Sequence, residues 1–368
     1  IVARSMNIPA VVGLGNITKK VRPNDVVLVD GYEGHVIVNP SKETLYKYGK
    51  LKDERTSIEE RMLVLSKEAS LTQDGYQVQL MANIESAAEA KKALELGADG
   101  VGLFRTEFLF MNARSLPTED AHFRAYRDSV EAMKGLPVVI RTLDLGGDKV
   151  PSSSEYDMVE EANPFLGYRA IRYCLGHTDV FITQLRAILR ASAHGDIRIM
   201  YPMISGAFEL EQANEILEQA KAELRKEGVP FNEDIVSGAM IEIPSAAIAC
   251  DTLVEESSFF SIGTNDLIQY MMAVDRLNDR VAHLYEPTHP AVIRTLDMIV
   301  KAAKGGGLSV SVCGEMAGDP VMVPLLVGLG IDTLSVTVGS LPNVKFVVQN
   351  MKISEARDLA KEALLEHD

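Results

Sequence analysis

The chain has 368 residues, of which 46% are hydrophobic and 24% charged, enough apolar surface for a sizeable core and no compositional sign of disorder. The formal net charge of −15 argues against a non-specific nucleic-acid binder, because phosphate backbones attract clustered Lys and Arg. The three cysteines suggest neither a disulfide framework nor a metal site, and no apolar run reaches the roughly 18 residues that span a bilayer. We therefore expect a globular cytoplasmic protein of about two domains, with no nucleic-acid or membrane partner.

Residues 1–40 predict a small β-rich unit. The β-prone stretches DVVLVDG and GHVIVNP alternate with Gly, Pro, Asn and Asp turn signals, and His35 falls in the second stretch. Residues 41–72 are charge-dense with apolar positions at helical spacing, and Ser41 is a candidate N-cap, so we expect a linking helix or helix pair. The apolar start Ile1-Val2-Ala3 leads us to expect that the sequence opens within a domain.

Residues 73–368 alternate short apolar runs with long helical segments, the pattern of parallel strands joined by helical crossovers. There are eight such runs: YQVQLMAN, DGVGLF, PVVIRT, IRIMYP, GAMIEI, FFSIG, LSVSVC and IDTLSV. Eight nearly all-apolar strands favour a closed (β/α)8 TIM barrel, within the α/β class. A doubly wound open sheet is the alternative, but no Gly-rich phosphate loop follows the first run.

Polar side chains follow the apolar runs, where a barrel enzyme builds its active site. The runs lead in chain order into Asn83, Arg105, Arg141, Met203, Glu242, Asn265 with Asp266, Cys313 and the stretch 335–340. Unpaired charges gathered on one face would be costly to desolvate, so this convergence predicts a polyanionic ligand and a metal.

Residue types refine that prediction. The guanidinium forks of Arg105 and Arg141 suit phosphate or carboxylate groups, and Arg276 on the following helix could reach back as a third cation. Glu242 and Asp266 offer two hard oxygen ligands, which is how Mg²⁺ is usually held while substrate and water complete its octahedron.

Several positions have structural alternatives. Free Cys is among the most buried residue types, so spacing alone favours a core role for Cys313 over proton donation. Thr-Asn-Asp before residue 267 also fits a turn or a helix N-cap. For Asp144 and Lys149, we favour a solvated loop over a role in the active site. Surface positions are predicted for five histidines in polar segments: His122, His177, His194, His283 and His289.

Six long segments together resemble Enzyme I of the phosphoenolpyruvate (PEP)-dependent sugar phosphotransferase system, in the PEP-utilising enzyme family. They are GLFRTEFLFM, RTLDLGGDK, NPFLGYRAIR, GAMIEIPSA, SIGTNDLIQYMMAVDR and VCGEMAGD. Their number, length and order make the resemblance far more specific than any single motif, and it covers nearly the whole chain.

The resemblance implies a role for each matching position. PEP would be bound by Arg105, Arg141, Arg169, Asn265, Asp266 and Arg276. Mg²⁺ would be held by Glu242 and Asp266. Cys313 would protonate the methylene carbon of the enolate as it becomes pyruvate, against the preference from spacing. Such chemistry depends on positioning and on neutralising spread charge, which arginines and Mg²⁺ supply.

The same resemblance implies the wider organisation. In the family, the phosphate acceptor is a histidine just upstream of a segment like IVARSMNIPAVVG, so residues 1–40 would be a remnant of a swivelling phosphohistidine domain. The family also implies a homodimer formed through the barrel and a small phosphocarrier protein of the HPr type, which docks on a part preceding this sequence. The family's eighth-strand region matches LSVTVGSLPNVKFVV only loosely.

Two other hypotheses share much of this pattern. One is another barrel enzyme of enolpyruvate chemistry, such as a pyruvate phosphate dikinase-like or aldolase-like protein, although RTEFLFM and CGEMAGD fit Enzyme I better. The other is a PEP-responsive regulatory module of a nitrogen-related phosphotransferase.

Overall fold

A computed structural model describes residues 8–31, 33–111, 115–146 and 161–366, with only the backbone described at 53–61 and 65. The chain divides into two compact units, Ile1–Leu65 and Ser66–Asp368. The division falls within residues 41–72, the predicted linking segment. Lys149 lies outside the described residues.

The first unit contains the two strands that the sequence predicts. They are β1 (Val27–Asp30) and β2 (His35–Val38), which pair as an antiparallel hairpin after a short helix α1 (Ile17–Lys20). The expectation that His35 lies in a strand is confirmed. Helix α2 (Lys42–Leu65) follows, and Ser41 caps it, because the Ser41 hydroxyl accepts a hydrogen bond from the Thr44 N–H at 3.0 Å. Within the stretch 41–72, one helix forms rather than a helix pair.

The second unit is a closed barrel of parallel strands, so the prediction of a (β/α)8 barrel is confirmed and the open-sheet alternative is wrong. Each neighbour in sequence is a neighbour in space, and the last strand pairs with the first to close the barrel. Every strand overlaps one of the eight apolar runs, and three strands extend one residue beyond their run. The strands are β3 (Gln79–Ile84), β4 (Val101–Phe104), β5 (Val138–Arg141), β6 (Ile197–Tyr201), β7 (Ser237–Ile241), β8 (Phe259–Ile262), β9 (Ser309–Val312) and β10 (Thr333–Thr337).

Helices follow the strands and surround the barrel. After β3 and β4 come α3 (Ala87–Glu95), α4 (Glu107–Met111) and α5 (Glu119–Ala132). After β5 and β6 come α6 (Ile171–Gly176), α7 (Thr178–Ser192) and α8 (Ala207–Glu227). The later connections contain α9 (Pro244–Ile248), α10 (Thr264–Met272), α11 (Pro290–Gly305), α12 (Val323–Gly328), α13 (Leu341–Asn350) and α14 (Ile353–Leu365). No helix among the described residues is long and apolar enough to cross a bilayer.

Alternate side chains along the barrel strands belong to two separate apolar cores. In β5, Val138 and Ile140 join the large core between strands and helices, whereas Val139 belongs to a small separate cluster. That cluster consists of Leu103, Val139, Met200, Met240, Phe259 and Cys313, contributed by neighbouring strands and fully enclosed. Because successive side chains on a strand point to opposite faces, the small cluster fills the barrel interior. Arg141, two residues after Val139, therefore points inward at the carboxyl end of its strand.

The structure overturns one surface prediction. His122 in α5 is 1% exposed, and its Nδ1 lies 2.9 Å from the Tyr126 hydroxyl, which accepts a hydrogen bond from Gln184. Burial lowers the pKa of His122 to about 4, so the ring is neutral. His122 lies on the inward face of an amphipathic helix, although polar residues surround it in the sequence. His194 and His283 are exposed as predicted.

Candidate active site

A buried cluster of arginines and carboxylates occupies the carboxyl ends of β5, β7 and β8. Its first member is Arg141, the last residue of β5, which is 7% exposed. The Arg141 guanidinium forms an ion pair with Glu107, at the start of α4, and a second one with Asp144 at 3.1 Å. Burial alone would lower the pKa of Arg141, but the neighbouring carboxylates raise it above its ordinary value, so the side chain stays charged.

Arg169 joins the loop after β5 to the end of β8. Its Nη2 lies 2.8 Å from Asp144 Oδ1 and 3.2 Å from Asp266 Oδ2, and all three side chains are buried. Burial acts to lower the pKa of Arg169, but Asp144 and Asp266 outweigh it and raise the pKa. Asp144 thus bridges Arg141 and Arg169, so the two cations share one anion.

Tyr270 supports this arrangement from α10. Its hydroxyl donates to the Phe165 carbonyl oxygen at 2.5 Å and accepts from Arg169 Nη1 at 3.3 Å. The Phe165 ring lies 5.9 Å from the guanidinium carbons of both Arg169 and Arg276, within the range of cation–π attraction. Tyr270 and Phe165 therefore orient cations that belong to different segments.

Asp266 lies in the first turn of α10 and holds cations on both sides. Its Oδ1 accepts from Arg276 Nη1 at 2.7 Å, while its Oδ2 pairs with Arg169. Through this contact, Arg276 extends back toward the end of β8, as predicted. Gly263 is the residue before the helix, and no side chain caps α10, so Thr-Asn-Asp is not an N-cap but the first turn itself.

Glu242 follows β7 and is 2% exposed. Its Oε1 accepts from the Met203 N–H at 2.7 Å, and Met203 has φ of +58°, a left-handed conformation that residues with side chains rarely adopt. Burial, together with the charges of Asp266 and Asp144, raises the pKa of Glu242 to about 8. The positive charges of Arg141 and Arg169 therefore do not offset the effects of burial and of the neighbouring carboxylates on Glu242.

The carboxylates fit a magnesium ion. A Cβ at Gly263 would lie 2.5 Å from Glu242 Oε2, so the glycine leaves room that a side chain would fill. The nearby charge of Asp266 raises the pKa of Glu242, as a closely spaced carboxylate does. No group of three or more His, Cys, Asp or Glu side chains in the described part of the chain could hold a metal alone. Two carboxylates suit an ion whose other ligands are substrate oxygens and water.

Arg105 and Asn265 stand at the edge of the cluster. Arg105 follows β4, is partly exposed, and its Nη1 lies 3.8 Å from Glu85 Oε1. Its guanidinium is the least constrained of the predicted arginines. The Asn265 Oδ1 accepts from the Glu315 N–H at 2.8 Å, which links the first turn of α10 to the segment after β9.

Cys313 directly follows β9 and faces the barrel interior, where it is 4% exposed. Its Sγ accepts a hydrogen bond from the Ser261 hydroxyl at 3.4 Å and donates to the Ile262 carbonyl oxygen at 3.7 Å. Burial raises the pKa of the Cys313 thiol, while Arg141 and Arg105 act in the opposite direction. The thiol is therefore protonated at neutral pH, and it lies near the arginine cluster.

Sequence reasoning missed three residues of the cluster. Asp144 is 1% exposed and ion-paired, so its placement in a solvated loop is wrong. Glu107 and Tyr270 were not singled out at all. A usable signal was present for two of them, since Glu107 lies two residues after Arg105 and Asp144 lies three residues after Arg141, both just beyond a strand end.

Two family models match the chain. The PEP-binding domain of PEP-utilising enzymes matches residues 59–353, and the mobile domain of PEP-utilising enzymes matches residues 1–34. The first of these ranges contains every residue of the cluster.

Several curated relatives share the same protein name. Phosphoenolpyruvate-protein phosphotransferase of Priestia megaterium is 47% identical over 95% of this chain and 61% of its own length. The protein of that name from Geobacillus stearothermophilus is 47% identical over 99% of this chain and 63% of its own length, and the one from Bacillus subtilis is 44% identical over 99% and 64%. The chain spans about three fifths of the length of these relatives. The closed barrel and the family match over residues 59–353 agree, and the chain belongs to the PEP-utilising enzyme family.

Proposed function

We propose that this chain is the PEP-binding part of a phosphoenolpyruvate-protein phosphotransferase. Such an enzyme moves the phosphoryl group of PEP to a histidine and then to a small phosphocarrier protein of the HPr type, releasing pyruvate, in sugar uptake. The observation that carries the proposal is the buried ion-pair cluster of Arg141, Arg169, Asp144 and Asp266 at one end of the barrel. The names of the relatives support the same activity.

The arginines would bind the substrate. PEP carries a phosphate and a carboxylate, and Arg105, Arg141, Arg169 and Arg276 approach from three connections, as a small polyanion requires. Three of them are oriented by carboxylates, so little ordering remains for the moment of binding. Arg105 is the least constrained and can turn toward the ligand. The Asn265 side chain and the Asp266 backbone would complete the phosphate contacts.

Glu242 and Asp266 would hold Mg²⁺ beside the phosphoryl group. When bound, the ion neutralises charge on the transferring phosphoryl oxygens. The two carboxylates leave most coordination positions to the ligand and to water, so metal and PEP should bind together. The raised pKa of Glu242 supports this role, because a cation nearby would relieve the repulsion that raises it.

Cys313 would deliver a proton to the substrate. When the phosphoryl group leaves, the enolate of pyruvate needs a proton on its methylene carbon. The Cys313 thiol is protonated, lies on the inner wall of the barrel and is close enough to Arg141 and Arg105 to respond to their charge. Proton transfer from sulfur to carbon then gives pyruvate and leaves a thiolate.

The wider organisation follows from the same proposal. Residues 1–40 would belong to a swivelling phosphohistidine domain, 41–72 to a helical linker and 73–368 to the PEP-binding barrel. We further propose a cytoplasmic enzyme that forms a homodimer through the barrel. The mobile-domain match at residues 1–34 supports the assignment of the first segment.

Titration calorimetry tests the proposal. PEP added to the chain with Mg²⁺ should bind with a measurable heat, and chelation of the metal should abolish or strongly weaken binding. Pyruvate, which lacks the phosphate, should bind far more weakly. An affinity that does not respond to Mg²⁺ would remove the metal from the site, and no PEP binding at all would refute the assignment.

A further inference from the structure

A serine hydroxyl reaches Cys313 from the neighbouring strand. Ser261 lies in β8, is completely buried, and its Oγ donates to Cys313 Sγ at 3.4 Å. Phe259, two residues earlier in the same strand, belongs to the interior cluster that contains Cys313. Alternation therefore places Ser261 on the inner face of the barrel, directly beside the thiol.

The thiol is held in one orientation by two hydrogen bonds. Cys313 Sγ donates to the Ile262 carbonyl oxygen at 3.7 Å and accepts from Ser261. The Cys313 N–H also donates to the Ile262 oxygen, at 3.2 Å, so the cysteine backbone is fixed against β8. The apolar side chains around the sulfur offer it no other strong donor: Leu103, Val139, Met200, Met240 and Phe259.

We propose that Ser261 is a positioning residue for the proton-donating thiol, which it aims and whose thiolate form it stabilises. This inference rests on the proposed function of Cys313. When the S–H bond breaks and the proton forms a C–H bond with the substrate, the electron pair stays on sulfur. The Ser261 hydroxyl already donates to that atom, so the hydrogen bond becomes charge-assisted without any reorganisation.

The charged groups around the thiol do not replace this hydrogen bond. Arg141 and Arg105 favour the thiolate and Glu242 opposes it, all through space and without a hydrogen bond to sulfur among the described residues. Their effects will change when ligand and metal bind, because both alter the local charge. The Ser261 hydroxyl is uncharged and lies inside the barrel, so its contribution persists through the reaction cycle.

Alkylation of Cys313 tests the inference without requiring turnover. The rate of modification by iodoacetamide is followed against pH, and the peptide that contains Cys313 is quantified by mass spectrometry, which separates it from the buried Cys174 and Cys250. In Ser261→Ala, the midpoint of the rate profile should move upward by about one pH unit, which is about tenfold less thiolate at a given pH. Ser261→Thr keeps the hydroxyl and should stay close to the unmodified protein.

Ser311→Ala is the matched control. Ser311 is the register partner of Ser261 in β9, and its hydroxyl donates to the Phe260 carbonyl oxygen at 3.4 Å, not to sulfur. It should leave the Cys313 profile unchanged. An equal midpoint for Ser261→Ala and the unmodified protein, or an equal shift in Ser311→Ala, would refute the inference. Thermal unfolding of each variant shows whether the barrel remains intact.

Two further measurements separate this inference from the proposed function. PEP binding by calorimetry should be the same in Ser261→Ala and in the unmodified protein. In a phosphotransferase that carries this chain together with the acceptor histidine, here called the longer enzyme, Ser261→Ala should lower kcat about tenfold and leave KM nearly unchanged. Absence of PEP binding in the unmodified protein would refute the proposed function, whereas normal binding with an unaltered kcat would refute the role of Ser261 alone.

Discussion

Arg169 and Asp266 form a buried ion pair in which Nη2 and Oδ2 lie 3.2 Å apart, although the two residues are 97 positions apart in sequence. The pair ties the connection after β5 to the helix that follows β8. The cost of removing water from both charges offsets much of their attraction, so the pair adds little net stability. Loss of one partner would leave a buried charge without compensation, which ties the two segments to each other. The predictions below follow from this network and from the buried groups around it.

Arg141→Lys should weaken PEP binding. Lysine keeps the charge but loses the planar fork that pairs with Glu107 and Asp144 and that we propose also binds the substrate. We therefore expect a loss of about 1–3 kcal/mol in binding free energy by calorimetry. Arg198→Lys is the control, because Arg198 lies near the amino end of β6 and pairs with Asp196 at 3.3 Å. Equal affinities in the two variants would place Arg141 outside the binding site.

Cys313→Ala should separate binding from chemistry. The substitution removes the thiol proton but none of the charged groups, so PEP affinity should persist. In the longer enzyme, pyruvate formation should fall at least tenfold, because the enolate loses its positioned proton donor. Cys250→Ala, a change at a buried cysteine outside the barrel interior, serves as the comparison in the same pyruvate assay. Normal turnover by Cys313→Ala would show that another group protonates the substrate.

Glu242 should make the metal-free protein less stable as the pH rises. Its pKa is about 8 in the folded state and about 4.5 when unfolded, so the folded form binds the proton more tightly. The resulting stabilisation is complete below pH 4.5 and is lost as the pH rises toward 8. Glu242→Gln cannot ionise, so its urea midpoint should rise relative to that of the unmodified protein across this range.

The matched control for that experiment is Glu315→Gln, a change at an exposed carboxylate beside Cys313 and Gly314. Its midpoint should follow that of the unmodified protein at every pH. With a chelator present throughout, parallel curves for Glu242→Gln and the unmodified protein would show that Glu242 has an ordinary pKa in the folded state.

His122 should destabilise the protein in acid. Its pKa is lowered to about 4 by burial, whereas an unfolded histidine titrates near 6.5. The unfolded chain therefore takes up the proton first, and stability should be lost as the pH falls from 6.5 to 4. His122→Gln should show a flatter dependence in urea unfolding, although its midpoint at neutral pH should be lower because the Tyr126 hydroxyl loses one of its two hydrogen-bond partners. His283→Gln, at an exposed position, should leave the acid slope unchanged.

Local sequence pattern was sufficient for the elements of the fold. Each of the eight apolar runs corresponds to one barrel strand to within a few residues, and Ser41 caps the helix predicted to follow the β-rich segment. Strand and helix periodicities are properties of neighbouring residues, so they can be identified without knowledge of the rest of the chain. The same reasoning failed for His122, because the burial of one helix face depends on the helix against which it packs.

The sequence by itself determined the number and order of the strands and the residue types at their carboxyl ends. Closure of the barrel decided which side chains meet across strands: Glu107 with Arg141, Arg169 with Asp266, and Ser261 with Cys313. These partners lie on different connections or strands, and their contacts follow from register and strand alternation around the barrel. A charge in a sequence does not reveal its counter-ion, because that choice depends on distance in space and on the removal of water around both groups.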